Sequence, residues 1–162
     1  MSEMRILTVR QPWAWAIIHG GKDVENRVCN IAGSYRGPVA IHAAGEIAQE
    51  GRAAVKQLAS LPWRERSVDD VRGAIIGLVE LVDVHSASVI GGCGWLNHDC
   101  PEHGTCREHC SPWAQGPSRR GWFRHLVLAN PRPLSAPIPY RGALGLRRLD
   151  AATIQQIEEH LA

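Results

Sequence analysis

The chain has 162 residues, 44% apolar and 21% charged, with a net charge of +2, which suits one globular domain with a buried core. No apolar run approaches the roughly 18 residues of a membrane span, and Met1 to Val9 has no basic region followed by a long apolar stretch, so a cytoplasmic protein without a membrane partner is expected. A net charge this small excludes any argument from bulk charge to nucleic acid; oligomeric state leaves no mark in the sequence.

Arg5 to Val9 alternates as a short strand does, and Pro12 is a favourable first position for a helix over Trp13 to Ile18 that Gly20-Gly21 stops. Asp23 to Val28 is predicted as a strand and, after a loop between Gly33 and Gly37, so is Pro38 to Ala43. Glu46 to Ala59 is predicted helical, with Ile47, Val55 and Leu58 near one face. Leu61 to Asp70, polar and Pro-containing, reads as a connection. Ala74 to Val84 is almost wholly apolar and β-branched, interrupted by Gly77, Glu80 and Asp83, which predicts a strand covered on both faces or bent at Gly77. Glu80 then needs solvent or a basic partner.

From Gly91 to Gly121 regular patterning gives way to Gly, Pro, Cys, His and Trp. Strand character returns at Trp122 to Ala129, Asn130 to Pro139 reads as an extended Pro-rich loop, and Ala143 to Arg148 as the strand that closes the sheet. Asp150 can cap a last helix with Ile154, Ile157 and Leu161 on its apolar face. These elements predict an α+β, mainly β fold: a small β-barrel with peripheral helices, residues 1–162 forming one domain with a Cys/His-rich insertion at 91–121.

The densest chemical signal is Gly21-Lys22-Asp23-Val24-Glu25-Asn26-Arg27. On a strand, Asp23, Glu25 and Arg27 share one face while Val24 and Asn26 share the other. A carboxylate beside a guanidinium can read the edge of a base, and Lys22 can take a phosphate or hold the carboxylate. The same spacing also suits a plain surface salt-bridge cluster. A second signal lies between Arg119 and Arg148, where seven arginines occur without Asp or Glu and are interleaved with Trp122, Phe123 and Tyr140. Phosphate contact with base stacking fits that mixture, with Arg124 and Trp122 as candidates; solvent-facing strand arginines fit it equally. Arg36, in a Tyr-Arg-Gly turn, is a further phosphate candidate.

Cys93, His98, Cys100, His103, Cys106, His109 and Cys110 crowd into one segment. Cys106 and Cys110 would share a side of one helical turn, and adding Cys93 and Cys100 makes a tetrahedral structural zinc site in which His98, His103 or His109 can replace a thiolate. Disulfides and free thiols are the alternatives. A deaminase zinc is excluded, since its H-x-E and P-C-x-x-C elements are absent. Cys29, far from the cluster, reads as a small buried residue. Trp13 and Trp15 cannot share a helix face, so one of them belongs to the core; Trp63, Trp95 and Trp113 read as loop anchors.

The run Leu7-Thr8-Val9-Arg10-Gln11-Pro12-Trp13-Ala14, then Gly20 to Arg27, then Ser34-Tyr35-Arg36-Gly37, resembles the activating signal cointegrator homology (ASCH) domain. Gly73 to Asp83 is similar to that family's long central strand, and Asn130 to Gly142 to its Pro-rich return. The resemblance implies a barrel of the PUA-like superfamily, which includes RNA-binding modules and readers of modified bases. It implies a cleft lined by Lys22, Glu25 and Arg27, bordered by Gln11, Pro12 and Trp13.

The expected ligand is therefore RNA or single-stranded DNA, read through one modified or extruded base. Some small relatives hydrolyse N4-acetylcytidine using a Thr where this chain has Glu25, and others have been linked to ribonuclease activity. A hydrolase acting on a modified nucleoside or an RNA phosphodiester is thus the rival, with Lys22, Glu25 and His42 as its acid/base candidates. His42 otherwise reads as a satisfied core residue. A protein-interaction module is the third possibility.

Overall fold

The structure is a computed structural model that describes residues 3–62, 70–87, 93, 109–116 and 123–161. In chain order the elements are β1 (Arg5–Gln11), α1 (Trp13–His19), β2 (Val24–Arg27), β3 (Gly37–Ile47), α2 (Gly51–Leu58), β4 (Ala74–Ser86), β5 (Arg124–Pro139), β6 (Leu146–Arg148) and α3 (Ala151–His160). Among the described residues the strands form one sheet in the order β2-β5-β4-β3-β1-β6. The β1–β3 pair is parallel and every other pair is antiparallel.

The nearly continuous apolar run of β4 is explained by packing on both sheet faces. Ile76 and Leu81 join Leu7, Val9 and Ile41 against Ile17 and Ile18 of α1, while Ile75 and Leu78 join Ile6 and Ala40 against Ile154 and Ile157 of α3. Strand side chains alternate between faces, so a sheet with helices on both sides needs apolar residues at successive positions. The pairing register shifts beside Gly77, where the strand was expected to bend. Glu80 has the basic partner it required, Arg132 at 3.8 Å. Asp150 accepts from the Thr153 backbone N–H at 2.9 Å and caps α3 as expected.

Several features differ from the sequence reading. The helix predicted over Glu46 to Ala59 begins only at Gly51, because β3 runs on to Ile47. Ile47 still pairs with Gln11 of β1, and the Ala48 N–H donates to the Gln11 carbonyl at 2.7 Å, so pairing outcompetes helix there. The Pro-rich stretch from Asn130 to Pro139 belongs to β5 rather than to a loop. β2 pairs only with Arg124 to Val127, so the later part of β5 has one edge on which no ladder donor is needed. Prolines are tolerated in strands under that condition. Finally, Cys29 is exposed rather than buried.

The expected barrel is curled, but its ladder does not close. Among the described residues β2 and β6 are the two edges and do not pair; β6, expected to close the sheet, adds to β1 on the outside. In a flat sheet β2 and β1 would lie about 19 Å apart, four strand spacings. Instead an Arg27 guanidinium N–H donates to the Thr8 carbonyl of β1 at 2.8 Å. Only a strongly curled sheet permits this contact, and it brings the two halves of the N-terminal motif together.

No helix among the described residues is long and apolar enough to cross a membrane.

Candidate functional site

The end of α1 sets the site. The backbone N–H groups of Gly20 and Lys22 both donate to the Ala16 carbonyl at 2.9 Å, turning the chain sharply into β2. Lys22 is thereby buried, 2% of its side chain exposed. Its ammonium donates to Glu25 Oε2 at 3.0 Å and to the Val24 carbonyl, and lies 5.5 Å from the Trp13 ring centroid. Arg27 Nε stands 3.2 Å from Glu25 Oε1, so both carboxylate oxygens face a cation. Burial pushes the Glu25 carboxyl up, but Lys22 and then Arg27 outweigh it and hold the carboxyl below its ordinary value. The trio is ionised and carries one net positive charge. Each carboxylate oxygen keeps lone-pair capacity for one more donor.

This trio lies in the wall of a cavity of about 330 Å³ that Arg10, Trp13 and Phe123 also line. Trp13 is held edge-on against Trp113, ring centroids 6.4 Å apart, and lies against the backbone of Gly51. A Cβ at position 51 would stand 2.6 Å from Trp13 Cε2, so only glycine lets α2 approach this ring. Trp15, on the other face of α1, is buried in a cluster with Val55 and Trp113.

The structure separates the remaining candidates. Gln11 is buried: its amide donates to the Val71 carbonyl at 2.8 Å and accepts from the Trp15 N–H at 2.9 Å, so it braces the start of α1. His42 is not beside Lys22 or Glu25. It lines a neighbouring cavity, is 2% exposed, and bonds the Tyr140 carbonyl through Nε2 at 2.9 Å. Arg36 folds onto the carbonyls of Gly33 and Tyr35, away from the cavity. Arg124 is the cross-strand partner of Arg27 and donates to Ser86 Oγ. Trp122 lies outside the described residues. Sequence reasoning missed Arg10, Phe123 and Gln115 as lining residues. Arg10 and Phe123 adjoin residues already singled out; Gln115 reaches the cavity only through tertiary packing.

A second cluster adjoins the first. Among the described residues His85, Cys93, Cys110 and His125 bring their ligand atoms within 4.8 Å of one another, a group that can hold a metal ion. Cys93 and Cys110 belong to the expected set; Cys100, Cys106, His98 and His103 lie outside the described residues. His109 stands 3.9 Å from Cys93 Sγ. The two strand histidines were missed, although they lie where the chain enters and leaves the Cys-rich segment. His85 and His125 are register partners on β4 and β5, a pairing that sequence spacing does not display.

Their outer contacts suit ligation. His85 Nδ1 faces Asp83 Oδ2 at 2.9 Å, which directs Nε2 to the cluster. His125 Nε2 faces the Gln115 carbonyl at 2.7 Å, which directs Nδ1 toward Cys93 Sγ at 3.0 Å and Cys110 Sγ at 3.7 Å. Carboxylate and carbonyl partners of this kind fix the tautomer of a ligating histidine. Burial, then the neighbouring Cys93, pushes the Cys110 thiol up to about 12, so two adjacent thiolates here require a cation.

The segment after Cys110 forms a wall of the first cavity. Ser111 Oγ donates to Asp23 Oδ1, Asn26 Nδ2 donates to the Trp113 carbonyl at 2.9 Å, and the Gln115 N–H donates to Asn26 Oδ1 at 2.9 Å.

Comparison with known proteins agrees with this architecture. A crystal structure of ASCH from Zymomonas mobilis is 16% identical, covering 98% of this chain and 96% of that one, with a TM-score of 0.52. Two point mutants of the same protein are 15% identical with TM-scores of 0.53 and 0.52; they cover 99% and 98% of this chain and 100% and 96% of theirs. At that identity the likeness is one of fold. A search of curated proteins finds no match. The ASCH domain family model matches residues 7–137, which takes in the trio, both strand histidines and both cysteines of the metal cluster. The chain belongs to the ASCH domain family.

Proposed function

We propose that this protein binds RNA or single-stranded DNA, seating one nucleotide unit in the cavity of Lys22, Glu25 and Arg27. The observation that carries this reading is the ion-paired trio, with Lys22 and Glu25 buried and Arg27 partly so, in the wall of a cavity flanked by aromatic rings. Burying such charges costs several kcal/mol each unless they are paired, so an aligned ionic trio at a cavity wall suits polar recognition. Glu25 accepts from an exocyclic amine, Arg27 and Arg10 meet phosphate or a base edge, and Trp13 with Phe123 supplies stacking surface. A modified or extruded base fits a recess of this size, at the small end of ligand cavities.

Binding accounts for this geometry better than hydrolysis. Glu25 is held as a doubly paired carboxylate, a weak general base, and His42 lies in another cavity. Fluorescence anisotropy with short RNA, single-stranded DNA and duplex DNA tests the reading. Single strands are expected to bind, and Arg10→Ala and Arg27→Ala each to weaken binding about tenfold, the loss of one charge-assisted contact. Failure of the wild type to bind any of the three would overturn it.

We further infer that the metal of His85, Cys93, Cys110 and His125 is zinc in a structural role. Two thiolates and two imidazoles make a closed four-coordinate zinc set, and its ligand atoms stand about 3.5 Å apart around a tetrahedral ion. The separations of 3.0 and 3.7 Å match that spacing. Zinc here would tie β4 and β5 to the segment that walls the nucleotide cavity.

A further inference from the structure

Beside the first cavity lies a larger one of about 450 Å³, between the end of β3 and the turn that follows Tyr140. The two cavities share Thr8, Arg10 and Arg27. Among the described residues, Arg10 and Arg27 are the cationic side chains around the second cavity; beyond them its walls include Ala44, Gly45, Tyr140 and a glycine-flanked turn with Leu144 at its tip. Leu144 is 90% exposed. His42 Nε2 is bonded to the Tyr140 carbonyl, and Nδ1, which has no partner among the described residues, is buried beside Gly142. Around the second cavity positive charge is thus confined to the partition, with an ionic and aromatic recess on its other side.

We propose that the second cavity takes the nucleotide adjoining the one held in the first, so that the protein reads a dinucleotide step with the linking phosphate on the partition. This inference rests on the nucleotide-binding reading of the first cavity and deepens it. Both arginines keep donors for a further partner. Among the described residues Arg10 is paired with Glu50 at 2.8 Å, both side chains about half exposed (49% and 62%), and exposed pairs of this kind are weak. Arg27 directs one terminal N–H at Thr8 and its Nε at Glu25, and a guanidinium has five donors. The second base would lie on Tyr140 and Leu144 and be accepted by shape and stacking, without hydrogen-bond readout.

The test compares mononucleotides with 5′-phosphorylated dinucleotides, measured by calorimetry or competition, on the wild type and on Gly45→Trp. Gly45 lines the second cavity and a Cβ there meets nothing within 4 Å, so a bulky side chain can be placed at that wall without displacing the fold. The wild type is expected to bind dinucleotides about tenfold or more tighter than mononucleotides, the effect of one added stack. Gly45→Trp should abolish that gain and leave mononucleotide affinity unchanged. Leu144→Glu, at an exposed tip, provides a second variant that should weaken dinucleotides more than mononucleotides. Equal affinity of the wild type for both ligands, or a gain that survives both variants, overturns the two-cavity proposal and leaves the one-cavity reading standing. Absence of binding by any nucleotide or oligonucleotide overturns both.

Discussion

Lys22 is the most constrained cation in the described structure, and Glu25 is what makes its burial tolerable. Glu25→Gln keeps the shape but leaves an ammonium and a guanidinium around a neutral amide. Breaking a buried pair costs about 3 to 5 kcal/mol, so the variant is expected to unfold at clearly lower urea concentration at neutral pH. The pH dependence has a definite sign. The folded Glu25 carboxyl lies below its ordinary 4.5, so its stabilisation is full above that value and is lost as pH falls through the lowered one. The gap between wild type and Glu25→Gln should persist at about pH 5 and shrink only under more acidic conditions; a gap that closes near neutrality would contradict the pairing. Gly142 is a second fixed point. A Cβ there would sit 2.7 Å from His42 Cε1, so Gly142→Ala must displace a buried ring or the turn and should cost about 1 to 3 kcal/mol.

At the scale of elements, β4 and β5 do more than fill the sheet. Their cross-strand histidines and the segment from Cys110 to Gln115 form one connected unit that ends in the cavity wall. Protein purified without chelator is expected to hold about one zinc per chain, and Cys93→Ser and His125→Ala should each reduce that content sharply. Full zinc content in His125→Ala would return the site to a set drawn from the cysteines alone. Chelation should also weaken oligonucleotide binding, since Gln115 and Trp113 would lose their anchor. The cysteine part of this cluster was legible from local crowding. Its histidines were not, because a cross-strand pair is formed by register between segments far apart in sequence. The same physics explains β5: prolines argue against a strand locally, and only the short reach of β2 shows that the later part of β5 needs no donors on one side. It also explains α2, whose predicted first turn is taken by β3 pairing with β1.

For the molecule as a whole, a net charge of +2 supplies little steering field, and the arginines that count are those the curled sheet gathers around Thr8. If two of them meet phosphates, single-strand affinity should fall only about sevenfold between roughly 50 and 200 mM salt. A much steeper dependence would require the exposed arginines of the C-terminal stretch as well. By itself the sequence determined the mainly β fold, the long apolar strand β4, the facing of Glu25 and Arg27 on one strand, and two cysteines of the His/Cys cluster. Each follows from strand alternation or local spacing, which are properties of the chain over a few residues. The curl that carries Arg27 to Thr8, the partition shared by two cavities, the removal of His42 from the trio and the histidine half of the metal cluster were decided only by tertiary structure. They depend on register and on helix packing across the sheet, which join residues that no local period relates.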